Sequence, residues 1–214
     1  PYNMEEKGKI TGIGTEIVQA TLEKAGIKSD IRLYPLARAF HMLKKEPNTL
    51  LYTLVKSPER EPLFKWVGPI VPPVRIVMHK LKKRTDIAVN SLEDAKKYEI
   101  GVTREAVGHQ YLIKQGFLKL QPVNTNEQSI RKLFAGRIDL EVSTELTFLY
   151  AAKQMGLPYN EVEIAFELFA NEGYMCFSKQ TPDDVVEHIR KAFEETKTSG
   201  TVDGIIAKYL KMYQ

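Results

Sequence analysis

Strand-like and helix-like segments follow one another along most of this chain, and that order is its strongest constraint on fold. Residues 14–25 repeat apolar side chains at helical spacing, and Gly26 ends this helix. Residues 31–34 alternate like a short strand, Pro35 opens a second helix, and residues 50–55 read as a buried strand. Because parallel strands need crossover helices that cover the sheet, the pattern predicts an α/β fold with mainly parallel sheets flanked by helices.

The middle of the chain repeats this alternation, and its end departs from it. Ser91 is a predicted helix N-cap, and Thr125 with Gln128 forms a capping-box signature. The predicted strands here are 100–102, 120–123, 138–142 and 164–169, and the predicted helices include 105–115 and 146–155. Two consecutive helices, 182–198 and 202–213, close the chain.

The length and the spacing of these elements predict two lobes. A chain of 214 residues suits one large domain or two small ones. The basic stretch 79–84 and the polar stretch 171–173 bound a self-contained α/β block. We therefore assign residues 1–79 and 175–214 to lobe 1 and residues 80–174 to lobe 2. Two crossovers form a hinge, and ligands favour the cleft between such lobes.

Composition excludes several classes of protein. Hydrophobic residues make up 43% and charged residues 27%, which suits a folded chain. The net charge of +4 comes from interspersed residues; it suits a small anion as well as nucleic acid, and no dense basic stretch favours nucleic acid, so we expect no nucleic-acid partner. The single cysteine, Cys176, leaves no cysteine-based zinc site or intrachain disulfide and is predicted to be a small buried residue. The four histidines show no metal-ligand spacing, so we expect no metal and no cofactor.

Nothing in the sequence predicts a membrane span, because no apolar stretch approaches the roughly 20 residues required. No signal peptide precedes Pro1, and the abrupt opening of the chain predicts a processed or trimmed product.

Three arginines are candidates for binding an anion. Arg60 follows a predicted strand end, where a guanidinium fork can hold a carboxylate in bidentate fashion. It also stands in a Glu-Arg-Glu run, which allows an ordinary surface ion pair instead. Arg104, with Thr103, precedes a predicted helix start that can receive an anion, or that is simply capped. Arg38 lies on the polar face of its helix, which predicts either solvation or anion recognition.

Several motifs, in order along the chain, carry a family resemblance. They are the opening 1–3 with 8–17, the turn Ser57-Pro58-Glu59-Arg60, the stretch 64–70, the segments 90–95 and 100–102, and Leu133-Phe134-Ala135-Gly136-Arg137-Ile138-Asp139. Together they resemble the periplasmic solute-binding proteins of ABC transporters, in the family that binds polar amino acids. The resemblance implies a two-lobed periplasmic-binding-protein type II fold. It also places the family's first strand before Pro1.

The resemblance implies roles for particular residues in lobe 1. Arg60 would bind the ligand carboxylate with help from the Ser57 hydroxyl, and Tyr2 would pack on the ligand. Trp66 is a further aromatic candidate for the cleft. The family often has a hydroxyl where this chain has Val55, which alters the carboxylate cradle.

In lobe 2 the resemblance implies that Thr103 and Arg104 hold the other side of the carboxylate. Thr144 stands where the family often has an aspartate that receives the ligand α-amino group, and Glu145 follows it. Glu141 interrupts an apolar strand pattern, so its carboxylate must be paired or face a cleft. Either the amine-binding carboxylate is shifted to Glu145 or Glu141, or the ligand lacks an amine. Asp139 is predicted to be structural.

These features predict a monomeric periplasmic or extracellular protein that binds a small polar carboxylate, with an amino acid as first choice, and delivers it to a membrane permease. Contacts made only in the closed form would shift the hinge equilibrium. A ligand-sensing module of a membrane receptor is the alternative on the same fold. A third alternative is a dehydratase acting on cyclic carboxylic acids, with Glu141 or Glu145 as general acid.

Overall fold

The computed structural model describes residues 2–213, so Pro1 of the predicted opening motif lies outside the described residues. The chain divides into two compact units, each built from separate stretches of sequence. The first unit contains residues up to 34, 38–73 and those from 172 onward, and the second contains 35–37 and 74–171. The sequence-based lobe boundaries at 79/80 and 174/175 stay a prediction.

Most helices and strands follow the order that the sequence pattern predicts, but the strands Met4–Glu6, Lys9–Thr11 and Lys65–Leu81 were not predicted. In chain order the first elements are β1 (Met4–Glu6), β2 (Lys9–Thr11), α1 (Ile13–Lys24), α2 (Leu36–Lys45), β3 (Leu50–Val55) and β4 (Lys65–Leu81). Next come α3 (Leu92–Ala95), β5 (Ile100–Thr103), α4 (Val107–Lys114), β6 (Leu120–Val123), α5 (Asn126–Phe134), β7 (Leu140–Thr144) and α6 (Glu145–Gln154). The chain closes with β8 (Val162–Phe177), α7 (Asp183–Thr198) and α8 (Thr201–Tyr213).

Strand pairing is mixed rather than mainly parallel, within the α/β class that the sequence predicts. In the second unit β5 pairs parallel with both β6 and β7, while β4 pairs antiparallel with β7. In the first unit β3 pairs antiparallel with the end of β8, and β1 and β2 form an antiparallel hairpin. Strands β4 and β8 run from one unit into the other without a crossover helix, so nothing imposes the parallel direction on them.

The second unit buries apolar side chains on both faces of its sheet. Leu140 and Val142 of β7 pack in one core cluster with β4, β5 and α4. The opposite face is covered by α5 and α6, where Ile130 and Phe148 belong to a second cluster. Successive strand residues point to opposite faces, so Glu141 and Ser143 of β7 point away from the first cluster.

One local expectation was wrong. Residues 31–34 form no strand, and Leu33 is 46% exposed. A short alternating segment does not form a strand unless a neighbouring strand pairs with it. The two stretches that bound the predicted middle block lie partly or wholly in strands: β4 continues to Leu81 within 79–84, and β8 includes the whole of 171–173.

Candidate functional site

The turn after β3 holds Arg60 in the first unit. The Ser57 carbonyl accepts the backbone N–H groups of Arg60 (3.0 Å) and Glu61 (2.8 Å), which closes the turn. The Arg60 guanidinium donates to the Val55 carbonyl at 3.1 Å and lies 5.2 Å from the centre of the Phe40 ring. Only 2% of Arg60 is exposed, so it is a buried cation and not the solvated surface arginine that its Glu-Arg-Glu context allowed.

The other predicted residues of the first unit lie in distinct surroundings. The Ser57 hydroxyl donates to Glu59 at 2.8 Å. Trp66 is half-buried, and its indole N–H donates to the Glu61 carbonyl at 3.1 Å. Arg38 is exposed, with its guanidinium 4.4 Å above the Tyr34 ring, which matches the solvated helix face.

Tyr2 lies where the first loop meets β3. Its carbonyl accepts the backbone N–H of Gly14 at 2.9 Å, at the start of α1. A Cβ at Gly14 would lie 2.1 Å from Thr53 Cγ2, so only glycine permits this close approach. Thr53 has φ of +57°, rare for a β-branched residue, and its hydroxyl accepts from the Asn3 amide at 2.5 Å. The loop and the strand therefore constrain each other tightly.

In the second unit, the carboxyl ends of the parallel strands β5 and β7 lie at one edge of the sheet. Thr103 ends β5, and its hydroxyl donates to the Asn126 side chain at 2.7 Å. Arg104 follows and is exposed, while its backbone N–H donates to the Val123 carbonyl at 2.8 Å. Helix α4 begins at Val107 rather than at 105, so its first turn lies beyond Arg104.

His109 lies close to Arg104 at this edge of the sheet. Burial lowers the pKa of the imidazole; the negative charge of Glu105 opposes the effect and the positive charge of Arg104 adds to it. The Glu105 backbone N–H donates to His109 Nδ1 at 3.3 Å, which fits a neutral ring with an accepting nitrogen.

Thr144 serves as the N-cap of α6 at the end of β7. Its hydroxyl accepts the Thr147 backbone N–H at 3.1 Å and donates to the Thr147 hydroxyl at 2.8 Å. The next residue, Glu145, forms a hydrogen-bonded ion pair with Arg75 of β4. Arg75 also pairs with Glu167 at 3.2 Å. The hydrogen bond to Glu145 is the largest cause that raises the pKa of Arg75, and the negative charge of Glu145 is the second.

Glu141 is fully buried and paired, and a paired carboxylate is one of the two arrangements that the sequence predicted for it. Its Oε2 lies 3.1 Å from His79 Nδ1 and accepts the Ser143 hydroxyl at 2.9 Å. His79 and Glu141 are cross-strand partners in β4 and β7, and the imidazole lies 4.3 Å from the Phe148 ring. At 0% exposure Glu141 has no surface to offer a ligand in this structure. Asp139 is structural as predicted, bonded to Arg84 and to the Glu99 backbone.

Sequence reasoning missed Arg75 and His79, the two partners of the candidate carboxylates. His79 lies directly across the antiparallel ladder from Glu141. Arg75 lies across from Glu145, one position beyond the paired residues Ile76 and Thr144. The sequence does show a charged residue inside each of two apolar segments. It does not show the strand register that pairs these two segments.

Two broader features bear on function. Among residues 2–213, no group of three histidine, cysteine, aspartate or glutamate side chains lies close enough to hold a metal ion. None of the helices in this part of the chain is both long and apolar enough to cross a bilayer.

Comparison with known proteins identifies the family. Residues 1–212 match the family model of bacterial extracellular solute-binding proteins, family 3. The chain belongs to this family. Two relatives from Bacillus subtilis (strain 168) are each 23% identical: the probable amino-acid-binding protein YxeM, over 98% of this chain and 79% of that protein, and the L-cystine-binding protein TcyA, over 97% and 75%.

The fold is also that of the family. A histidine kinase sensor domain described as similar to periplasmic binding proteins superposes with a TM-score of 0.88, at 20% identity, covering 98% of this chain and 91% of that one. The type II periplasmic-binding-protein fold implied by the sequence motifs is thereby confirmed.

Proposed function

We propose that this protein binds a small polar carboxylate-bearing ligand, an amino acid or a close analogue, and releases it unchanged to the permease of an ABC transporter. The observation that carries the proposal is the family match over residues 1–212, which runs through every motif quoted above. The names of the two Bacillus relatives, one for amino acids and one for L-cystine, support an amino acid or a close analogue.

Arg60 is the proposed carboxylate-binding residue of the first unit. A buried guanidinium fixed by its own turn is already ordered, so it loses little conformational entropy when it binds an anion. Ser57 and Tyr2 are proposed to assist it, with Trp66 and Arg38 as outer contacts. In the second unit the proposed contacts are Thr103, Arg104 and the Thr144–Glu145 helix start.

A thermal-shift screen against amino acids and small organic acids tests this function. A ligand at about 100 times its dissociation constant adds about 2.7 kcal/mol to the free energy of unfolding, which is easily seen. We expect at least one small carboxylate to raise the melting temperature. Uncharged sugars serve as the control class, and stabilisation by sugars alone would contradict the proposal.

Delivery and turnover need separate measurements. We expect the bound ligand to be recovered unaltered by mass spectrometry after prolonged incubation, because the proposal assigns no catalytic residue. We propose that the protein acts as a monomer outside the cytoplasm. It should stimulate ligand-dependent ATP hydrolysis by a permease of the ABC transporter in proteoliposomes. A receptor sensor domain is the alternative on this fold, and it would bind the ligand without stimulating any permease.

A further inference from the structure

Both carboxylates that the sequence offered to a ligand ammonium group are paired with side chains of the protein itself. Glu141 is buried against His79, with 0% exposure for both residues. Glu145 is paired with Arg75 at the start of α6. The amine-binding position expected from the family, Thr144, carries no charge and uses its hydroxyl to cap that helix.

Arg75 is placed by the register of the sheet. Ile76 of β4 lies opposite Thr144 of β7. Because the strands are antiparallel, Arg75 before Ile76 lies next to Glu145 after Thr144. The guanidinium joins Glu145 to Glu167 of β8. The three side chains are 49%, 38% and 45% exposed, so the group is accessible to solvent and contributes little to stability.

We infer that Arg75 is a specificity-determining residue that withholds Glu145 from ligand ammonium groups and so favours carboxylates that lack an α-amine. This inference rests on the proposed function. The chemical class it selects is that of simple carboxylates, dicarboxylates and ω-amino acids, in preference to the matching α-amino acids.

The preference follows from competition for one carboxylate. Arg75 holds Oε2 of Glu145, so an ammonium group must either displace the guanidinium and break its charge-assisted hydrogen bond or share the carboxylate with a second positive charge. Sharing places two like charges beside one carboxylate, and their repulsion weakens the binding of the ammonium group. A ligand without the α-amine avoids both costs, and Arg104 at the same edge adds a further positive charge.

Calorimetry with matched ligand pairs tests the inference. Each pair differs only in the α-amine: L-glutamate and glutarate, L-alanine and propionate, L-lysine and 6-aminohexanoate. We expect the wild-type protein to bind the deaminated member more tightly. Arg75→Met should move the affinity ratio toward the α-amino acid by about tenfold, because Glu145 then becomes available to an ammonium group.

Further variants assign the effect to Glu145. Arg75→Met/Glu145→Gln should lose the gain, whereas Arg75→Met/Glu167→Gln should keep it, since Glu167 is freed by the same substitution. Lys96→Met is the matched control: it removes one positive charge that is paired with Glu93 on α3 in the same unit, and it should leave the ratio unchanged. Circular dichroism and melting temperatures verify that every variant is folded.

The outcomes separate the inference from the function on which it rests. A wild-type preference for the α-amino acids that Arg75→Met leaves unchanged would overturn the role of Arg75 while the binding function stands. A gain that survives Glu145→Gln would also overturn it. If no member of any pair, and no other small carboxylate, binds the wild-type protein, the proposed function and the inference fall together.

Discussion

Arg60 combines two tasks at the scale of a single residue. Its guanidinium donates to the Val55 carbonyl and lies over Phe40, so it helps to hold the turn that presents it. It also affects the neighbouring Cys176, whose pKa is raised by burial and lowered to a smaller extent by the Arg60 charge. Any substitution of Arg60 therefore changes both the turn and the proposed carboxylate site.

We expect Arg60→Ala to weaken binding of a small carboxylate by about 2–5 kcal/mol, because the truncated side chain leaves a desolvated anion unpaired. Arg60→Lys should restore part of the stability but not the affinity, since an ammonium cannot form the bidentate pair. Calorimetry and urea unfolding on the same samples separate the two effects. Unchanged affinity in Arg60→Ala would remove it from the site.

The buried pair of His79 and Glu141 gives a second prediction at the same scale. Glu141→Leu alone should lower the free energy of unfolding by about 1–3 kcal/mol, because it leaves a buried imidazole nitrogen without its hydrogen-bond partner. His79→Phe/Glu141→Leu should recover most of this loss, since both polar groups are then replaced by apolar ones. Urea unfolding measures both.

The matched control for that pair is Glu93→Leu. Glu93 is 79% exposed and paired with Lys96, so the change should stay within about 0.5 kcal/mol. Additive losses in the double variant would show that the pair has no special coupling.

At the scale of elements, glycine positions show how closely helix and sheet approach each other. A Cβ at Gly101 of β5 would lie 2.4 Å from both Ser129 Oγ of α5 and Ile138 Cδ1. Both atoms belong to buried residues, so the neighbours have little room to move. In α8, by contrast, a Cβ at Gly204 meets nothing within 4 Å.

The same substitution at these two glycines should therefore have opposite effects. Gly101→Ala should destabilise the protein by about 1–3 kcal/mol through overpacking. Gly204→Ala should stabilise it by about 0.5–1 kcal/mol, because it removes a flexible residue from a helix without strain. Thermal and urea unfolding provide the comparison, and destabilisation of equal size at both positions would contradict the packing argument.

At the scale of the whole molecule, one hydrogen-bonded cluster ties the last helix of the chain to its first. The Tyr209 hydroxyl donates to Glu16 at 2.6 Å and accepts the Gly12 backbone N–H at 2.9 Å. Lys208 pairs with the same carboxylate at 2.8 Å, and the Thr11 hydroxyl donates to it at 3.1 Å. The cluster closes the first unit, whose residues come from both halves of the sequence.

We expect Tyr209→Phe to lower the free energy of unfolding by about 1–3 kcal/mol, because it removes a buried hydroxyl that bonds to a charged group and to a backbone N–H. Tyr111→Phe is the control, since the Tyr111 ring packs on Phe169 and the substitution keeps that contact. Equal losses in the two variants would count against the cluster.

The cluster also predicts a pH dependence. Burial alone would raise the pKa of Glu16, but hydrogen bonds from Lys208, Tyr209 and Thr11 outweigh it and hold the pKa below its ordinary value. A carboxyl whose pKa is depressed by folding stabilises the protein above its unfolded pKa of about 4.3, and this stability is lost as the pH falls through the folded pKa. Glu16→Gln should therefore flatten the acid limb of the stability profile measured by urea unfolding between pH 7 and pH 3. A profile unchanged by Glu16→Gln would contradict the depressed pKa.

The sequence by itself determined the α/β class, the family and the order of the elements apart from the strands β1, β2 and β4. Periodicity, caps such as Ser91 and Thr125, and helix-ending glycines such as Gly26 are local signals, because a helix or a turn is specified by residues near one another. The burial of Cys176 and the structural role of Asp139 were also predicted, because the residues next to each in the sequence indicate it.

Only the tertiary structure decided which polar and charged side chains pair with one another. The sequence offered Glu141 and Glu145 to a ligand, but strand register pairs the first with His79 and brings the second to Arg75. It also decided that residues 31–34 form no strand and that β4 and β8 pass between the units as continuous strands. The physical reason is that pairing depends on residues more than sixty positions apart, whose separation in space is fixed by the register of the sheet and not by any local pattern.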